Sequence, residues 1–474
     1  MDYDTLIYIN DIITNNILIA VLLVAAVYFT FTTRGVQFRM AREMIRLLLV
    51  SGKKTNDRRS KETDGHHTIS GFQAFMVSIA SRVGTGNLAG VATAIAIGGA
   101  GSIFWMWVIA ILGAATAFIE STLAQLFKEK GERSFIGGPA YYILKGTGKR
   151  WWAVTFAILI TVTFGLAFNS VQANTIAGAF SQSFSIPPVA TGIALAVLAL
   201  IIIWGGIQSI ARFSEYVVPI MAIAYILLAI VIIGLNISEI PDIIKMIFEE
   251  AFDFESAAGG TFGMAVIMGI KRGLFSNEAG EGSAPNAAAT ASVSHPVKQG
   301  LIQALGVYTD TLIICTCTAM IILCSGVVTT GNDAGGIVLT QNAIDASLGS
   351  TSLGSVFVSI AIFFFAFTSI VANYYYGETN LRFIRNSRSL IAVYRLAVGG
   401  MVFTGAVSTL DFVWSFADIT MALMTFCNIA ALFVLGKYAI TCLEDYEYQK
   451  RMGGKPMFYS YTMPDIERKI SCWK

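Results

Sequence analysis

Two stretches place polar residues where the surrounding sequence is apolar. The first reads Arg82-Val83-Gly84-Thr85-Gly86-Asn87-Leu88-Ala89-Gly90, between an apolar run that includes Phe72, Phe75 and Ile79 and another from Val91 to Ile97. The second follows the run Gly263 to Ile270 and reads Lys271-Arg272-Gly273-Leu274-Phe275-Ser276-Asn277-Glu278-Ala279-Gly280-Glu281-Gly282-Ser283-Ala284-Pro285-Asn286. About 20 apolar residues suffice to cross the roughly 30 Å hydrocarbon layer of a bilayer. Inside that layer a backbone amide released from a helix is costly unless protein, water or a ligand meets it. A glycine-rich polar break at that depth therefore points to a binding site. Free N–H groups and the dipole at a half-helix amino terminus favour an anion, which makes Thr85, Gly86 and Asn87 candidates to hold a carboxylate. Phe275, Ser276 and Asn277 of the second break are candidates to contact the same ligand. The plainer alternative is that the glycines only let helices pack closely, as small residues do in membranes. A second break in a corresponding place argues against it.

The elements that must position these residues are membrane helices. Of 474 residues, 55% are hydrophobic and 13% charged, with a mean hydropathy of +0.67. A soluble domain carries about 25% charged residues. Apolar segments fall at 12–33, 70–98, 102–127, 151–180, 187–204, 213–236, 257–292 (interrupted), 296–328, 351–376, 389–408 and 411–435. This predicts an all-α integral membrane protein with about eleven spans. The first segment follows Asp2, Asp4 and Asp11, without a basic flank or a small-residue cleavage site, so a retained span is expected and not a signal peptide. The net charge of +2 does not suggest nucleic acid as a partner. Cys315, Cys317, Cys324 and Cys427 lie in apolar runs, and Cys442 and Cys472 follow the last of them; neither a metal spacing nor a secreted disulfide framework emerges.

Charge distribution sets the expected orientation. Arg34, Arg39, Arg42, Arg46, Lys53, Lys54, Arg58, Arg59 and Lys61 lie between the first two segments; Lys128, Lys130, Arg133, Lys145, Lys149 and Arg150 follow the third. Arg382, Arg385 and Arg388 follow the ninth, and the tail is again basic. Alternate connections are acidic or neutral: Glu239, Asp242, Glu249, Glu250, Asp253 and Glu255 face one Lys245. The expected topology puts the amino terminus outside and the carboxyl terminus in the cytoplasm, in a multi-pass cell-membrane protein.

The two interrupted segments each begin a set of five successive spans. An odd number per set makes the halves enter from opposite sides, and paired breaks at corresponding positions point to an inverted-repeat transporter with a midplane site. The expected division is 1–69, an extra amino-terminal helix and a basic loop; 70–236, the first repeat; 257–435, the second; and 436–474, a cytoplasmic tail.

The motifs Gly84-Thr85-Gly86-Asn87-Leu88-Ala89-Gly90-Val91-Ala92, Phe104-Trp105-Met106-Trp107, Gly137-Gly138-Pro139-Ala140-Tyr141-Tyr142, Lys271 to Gly280 and Asn373-Tyr374-Tyr375-Tyr376-Gly377-Glu378 run in order from about residue 70 to 435. They resemble the alanine or glycine:cation symporter family of bacteria and archaea. The resemblance implies sodium-coupled uptake of small neutral amino acids on the leucine-transporter type of fold, with sodium as the co-transported ion, no cofactor and no enzymatic activity. Phe168 and Gln172 share one helical face, and the resemblance makes them pocket-lining. By the same analogy the carbonyl of Phe365 and the hydroxyls of Thr368 and Ser369 hold sodium, completed by the carbonyls of Arg82 and Thr85.

Ionisable residues inside spans are costly and are usually paired or pore-facing. They include Arg82, Glu120, Glu278, Glu281, Asp310, Glu378 and Arg395. Arg82 and Glu281 flank the two breaks, so an ion pair gating the inner side is expected between them. Glu278 is a candidate proton carrier, which keeps a proton-coupled amino-acid transporter as an alternative. A membrane oxidoreductase is the remote one. The glycine pattern from Gly84 superficially matches a dinucleotide loop, but it lacks a preceding strand, and the next acid, Glu120, lies about 30 residues on. His66 and His67 in a basic loop and His295 beside Pro296 support no Ser-His-Asp set.

Overall fold

The computed structural model describes residues 12–52, 69–131, 134–253, 261–327, 336–349 and 352–473. The amino-terminal residues 1–11 and the basic stretch 53–68 lie outside them. Among the described residues eight helices are long and apolar enough to cross a membrane: α1 (Ile13–Thr32), α5 (Gly101–Leu126), α7 (Arg150–Phe184), α9 (the window Arg212–Leu235 of Gly206–Leu235), α13 (Pro296–Cys324), α15 (Leu353–Ile384), α16 (Arg388–Val407) and α17 (Leu410–Arg451). Two shorter apolar helices, α4 (Gly86–Gly98) and α8 (Pro188–Ile203), accompany them. The other described helices of five or more residues are α2 (Ala41–Gly52), α3 (Gly71–Arg82), α6 (Pro139–Thr147), α10 (Ile240–Ala251), α11 (Thr261–Asn277), α12 (Ala284–Ala288) and α14 (Ile337–Ser347). One short antiparallel hairpin, Glu129–Lys130 with Phe135–Ile136, follows α5.

Both expected breaks are present. Ser70 caps α3 with a capping box to Gln73, so this helix has a defined start. It ends at Val83, whose extended backbone (φ −78°, ψ 95°) turns the chain out of the helix before α4 begins. The partner α11 ends at Asn277. Glu278 then takes φ +55°, Gly280 +89° and Gly282 +85°, and the chain re-forms a helix only at α12. Glycine is needed at 280 and 282 because a Cβ is disfavoured at positive φ.

The core is a continuous apolar cluster through the bundle. Helix α5 is its hub, packing on α1, α4, α11, α12, α13 and α17. Its buried face is rich in small residues (Gly113, Ala114, Ala115, Ala117), which lets the broken segments approach closely. Helix α15 lies along α3 and α7 on the other side of the breaks. Three helices widen to π-helical turns beside the breaks, at Gly86–Gly90, Thr163–Phe168 and Tyr308–Cys315. Such bulges are frequent at functional sites. Helix α17 continues to Arg451, well past the expected end of the last span at 435, and residues 452–473 fold back against the bundle.

Candidate functional site

The two breaks face each other. A Cβ built on Gly86 would lie 3.0 Å from the Ser276 Cα and 3.1 Å from the Phe275 ring, so this position needs glycine for the close approach. Thr85, Asn87, Ser276 and Asn277 are fully buried, and Phe168, Gln172 and Phe275 nearly so. All eight residues expected to meet the ligand thus belong to one buried cluster.

The polar groups of that cluster are ordered by two acceptors. Gln172 Oε1 on α7 accepts from the Thr85 amide (2.9 Å) and the Thr85 hydroxyl (2.8 Å). Asp310, on the π-helical turn of α13, accepts from Asn87 Nδ2 (2.6 Å), Ser276 Oγ (2.7 Å) and Thr311 Oγ1 (2.9 Å). Asn87 and Ser276 come from different breaks, so Asp310 ties them together. Asn277 instead donates to Thr311 (3.3 Å) and accepts from the Ala279 amide (3.0 Å). Asp310 is visible in the sequence as an embedded acid, but two of its partners, Asn87 and Ser276, lie more than 30 positions away and no local spacing reveals them.

Aromatic rings close one side. Phe168 packs against Phe275 in a tilted arrangement with centroids 4.5 Å apart, and Phe275 likewise against Trp414 at 4.7 Å. The Arg272 guanidinium lies 3.9 Å over Trp414. Arg272 and Lys271 both pair with Asp418 of α17, at 3.3 Å and 2.8 Å. Trp414 and Asp418 were not among the expected residues, although four-residue spacing puts them on one face of α17. Helix α14 covers the first break, its Thr340 hydroxyl donating to the Leu88 carbonyl (3.1 Å).

A second set of oxygens converges between α3 and α15. Thr368 Oγ1 is 2.8 Å from the Phe365 carbonyl, and Ser369 Oγ is 3.0 Å from the same oxygen. Ser369 Oγ also meets the carbonyls of Ala80 (2.9 Å) and Val83 (3.4 Å). These two carbonyls stand where those of Arg82 and Thr85 were expected. The reason is local: the Gly84 amide turns to Asn87 Oδ1 (2.9 Å) rather than back to Ala80. The Ala80 carbonyl therefore lacks its usual helical donor and points at α15. This neutral, oxygen-only cluster suits a hard cation. Among the described residues no group of three His, Cys, Asp or Glu side chains could hold a metal ion.

The expected ion pair of Arg82 with Glu281 is not formed. Arg82 donates through Nη1 to the Gln303 carbonyl (3.2 Å), its Nε and Nη2 have no hydrogen-bond partner, and neither do the two oxygens of Glu281. Arg82 is a shared counter-charge within electrostatic range of Glu120, Glu278, Glu281 and Asp310. Two of these acids are held by other donors. Glu278 accepts from Ser81 (2.6 Å) and Ser283 (2.5 Å), and Glu120 from the amides of Gly280 (3.2 Å) and Gly282 (3.1 Å) and from Asn428 (3.0 Å).

Comparison with known proteins identifies the family. A family profile described as "Sodium:alanine symporter family" matches residues 3–460. The probable sodium/glutamine symporter GlnT of Bacillus subtilis is 47% identical over 98% of this chain and 94% of its own length. The sodium/alanine symporter AgcS of Methanococcus maripaludis is 38% identical over 79% of this chain and 83% of its own. Among solved structures, MhsT in complex with L-phenylalanine superposes with a TM-score of 0.59 at 14% identity, over 80% of this chain and 96% of that one. A sodium-coupled sialic acid symporter gives 0.52 at 15%, covering 94% and 98%. These two structures bear on the fold alone, which is of the leucine-transporter type. The chain is a multi-pass membrane transporter for sodium-coupled amino-acid symport, not an enzyme. It belongs to the sodium:alanine symporter family.

Proposed function

We propose that this transporter takes up small neutral amino acids of the alanine and glycine class, driven by a sodium gradient, by alternating access around the two breaks. The observation that carries this reading is the buried meeting of Gly86 with Ser276, flanked by the oxygen cluster of Ala80, Val83, Phe365, Thr368 and Ser369. The amide and hydroxyl of Thr85 are the donors a substrate carboxylate would take from Gln172. Gln172 would then turn its own N–H groups toward the ligand. Asp310, Asn87, Ser276 and Asn277 form the polar wall on the ammonium side, where a carboxylate offsets the positive charge. Phe168, Phe275 and Trp414 are the apolar side of this site, and the close packing of Gly86 on Ser276 and Phe275 favours a ligand with a short side chain, alanine or glycine. The relative named for glutamine makes that amino acid the first competitor to test.

Sodium would sit between α3 and α15, tying the first break to the helix it slides against. In this reading the membrane is crossed about eleven times, counting α8 and the two broken segments, with residues 70–236 and 257–435 as inverted repeats. The basic end, with the carboxyl terminus, faces the cytoplasm. The Arg272–Asp418 pair and α14 close the outer side.

The test is counterflow and gradient-driven uptake by purified protein in liposomes, with labelled alanine, glycine, serine and glutamine. Accumulation of alanine or glycine under an inward sodium gradient is expected. Uptake driven only by a proton gradient, or accumulation of glutamine alone, overturns the reading.

A further inference from the structure

Residues 452–473 do not hang free below the bundle. Phe458, Met463, Ile466, Ile470 and Trp473 are buried, whereas Tyr461 is 64% exposed. The Trp473 indole donates to the carbonyls of Gln125 (3.2 Å) and Leu126 (3.1 Å), the last turn of α5. Helix-end carbonyls have no partner within the helix, and the tail supplies one. The Lys128 ammonium lies 4.6 Å from the centroid of the Trp473 ring and 4.1 Å from that of Phe135.

The same tail grips the strand-like stretch that links α12 to α13. The Phe458 amide donates to the Ser294 carbonyl (2.9 Å) and Ser294 Oγ to the Pro456 carbonyl (2.9 Å). His295 lies between the Tyr446 and Phe458 rings, at 5.0 and 5.4 Å, and its Nε2 meets Asp445 at 3.0 Å. Three residues earlier, the Ser292 amide donates to the Ile69 carbonyl (3.0 Å), one residue before the cap of α3. Gln125 and Lys128 hold the Ala291 carbonyl at 3.0 and 3.1 Å. The tail, the end of α5, the exit of α12 and the entrance of α3 are thereby one bonded patch.

We propose that residues 452–473 are a latch that holds the inner end of the transporter closed, and that this end opens only when the strip undocks. This rests on the alternating-access reading above. In that reading α3 and α12 are the inner halves of the two broken segments, and α12 can swing because positive-φ glycines at 280 and 282 precede it. Outward movement of α12 and the start of α3, coupled through Ser292 and Ile69, must break the tail's contacts at Ser294 and His295. A tail bound to those two residues therefore opposes that movement.

Cys472, half-buried beside the indole, is a built-in reporter. Full-length protein in liposomes is treated with a membrane-impermeant maleimide, and labelling of the Cys472 peptide is followed by mass spectrometry in sodium plus alanine and in potassium alone. If the tail is a latch, the two conditions differ in rate by about threefold or more. Trp473→Ala should raise labelling in both and raise the half-saturating sodium concentration for uptake several-fold; Tyr461→Ala should change neither. Should Trp473→Ala fail to fold, Trp473→Phe keeps the ring, removes the N–H donor and serves the same comparison. Wild-type protein that transports alanine but labels equally in both conditions, with unchanged sodium dependence in the Trp473 variant, overturns the latch. Absence of sodium-driven uptake in the wild type overturns the transport reading itself, and the latch with it.

Discussion

Asp310 concentrates the physics of the site in one side chain. Three donors from three segments end on its carboxylate, so its removal leaves the Thr311 hydroxyl without that acceptor and Asn87 and Ser276 with only the weaker Cys315 sulfur and, for Asn87, a long contact to the residue 310 carbonyl. An unmet buried group costs about 1–3 kcal/mol. Asp310→Ala is therefore expected to lower the melting temperature and reduce alanine uptake at least about tenfold, as read by thermal unfolding and liposome uptake. Ser369 makes a different prediction. Its hydroxyl is one of five oxygens around the candidate cation position, and Ser369→Ala should raise the half-saturating sodium concentration by about tenfold, or 1.4 kcal/mol, with little change in maximal rate. Gly86→Ala brings a methyl to 3.0 Å from backbone at Ser276, an atom that cannot rotate away. Loss of uptake with retained folding is the expected outcome, measured by uptake beside size-exclusion profiles.

At the scale of elements, the second break is held open by an acid on a neighbouring helix. Glu120 of α5 meets two amides that the chain releases at Gly280 and Gly282. Without it those amides face an apolar interior, which a membrane protein tolerates only where protein satisfies them. Glu120→Ala should thus destabilise the fold by a few kcal/mol; Glu120→Gln, which keeps one acceptor, should cost less. The tail adds a pH dependence. His295 Nδ1 accepts from the Val297 amide and Nε2 faces Asp445, an arrangement that requires the neutral ring. Burial holds the imidazole below its ordinary value of 6.5, against the opposing pull of Asp445, with Lys298 adding to the depression. A depressed histidine adds stability that is fully present above the unfolded value and is lost as pH falls through the folded one. Tail docking should weaken from about pH 6.5 downward, and His295→Gln should remove that dependence; limited proteolysis of the tail against pH reads it. Burial also pushes the Lys128 ammonium down to about 7. Its contribution therefore grows as pH rises from about 7 toward 10.5, the opposite side of neutrality, and the two groups can be told apart.

Across the whole molecule, charge is placed at the two ends and kept scarce between them. The Lys271–Arg272–Asp418 cluster joins α11 to α17 on the α14 side, while the tail patch joins α5, α12 and α3 on the other. Breaking a buried pair by removing one partner costs about 3–5 kcal/mol. If the pair closes the outer side as proposed above, Asp418→Asn should slow sodium-driven uptake without abolishing binding, checked by counterflow beside equilibrium binding of alanine. Replacing sodium by potassium should lower the melting temperature of the wild type, because an ion bound only by the folded state stabilises it by mass action. The Ser369→Ala variant should lose most of that difference.

The sequence by itself determined the membrane, the helices and the two places where helices must fail. Those properties follow from local composition: a hydrophobic run long enough to span, and glycines with polar neighbours that cannot stay helical in lipid. It also marked Thr85, Gly86, Asn87, Phe275, Ser276 and Asn277, because their chemistry is out of place in their surroundings. Tertiary structure alone decided who meets whom. Asn87 and Ser276 find Asp310, Glu120 holds the second break, and Arg82 stands apart from Glu281 as an unpaired counter-charge to several acids. The carbonyls that meet Ser369 at the proposed sodium position are those of Ala80 and Val83, because one amide, that of Gly84, turns to a side chain. Such partnerships depend on distances between segments far apart in the chain, and neither periodicity nor local spacing encodes them.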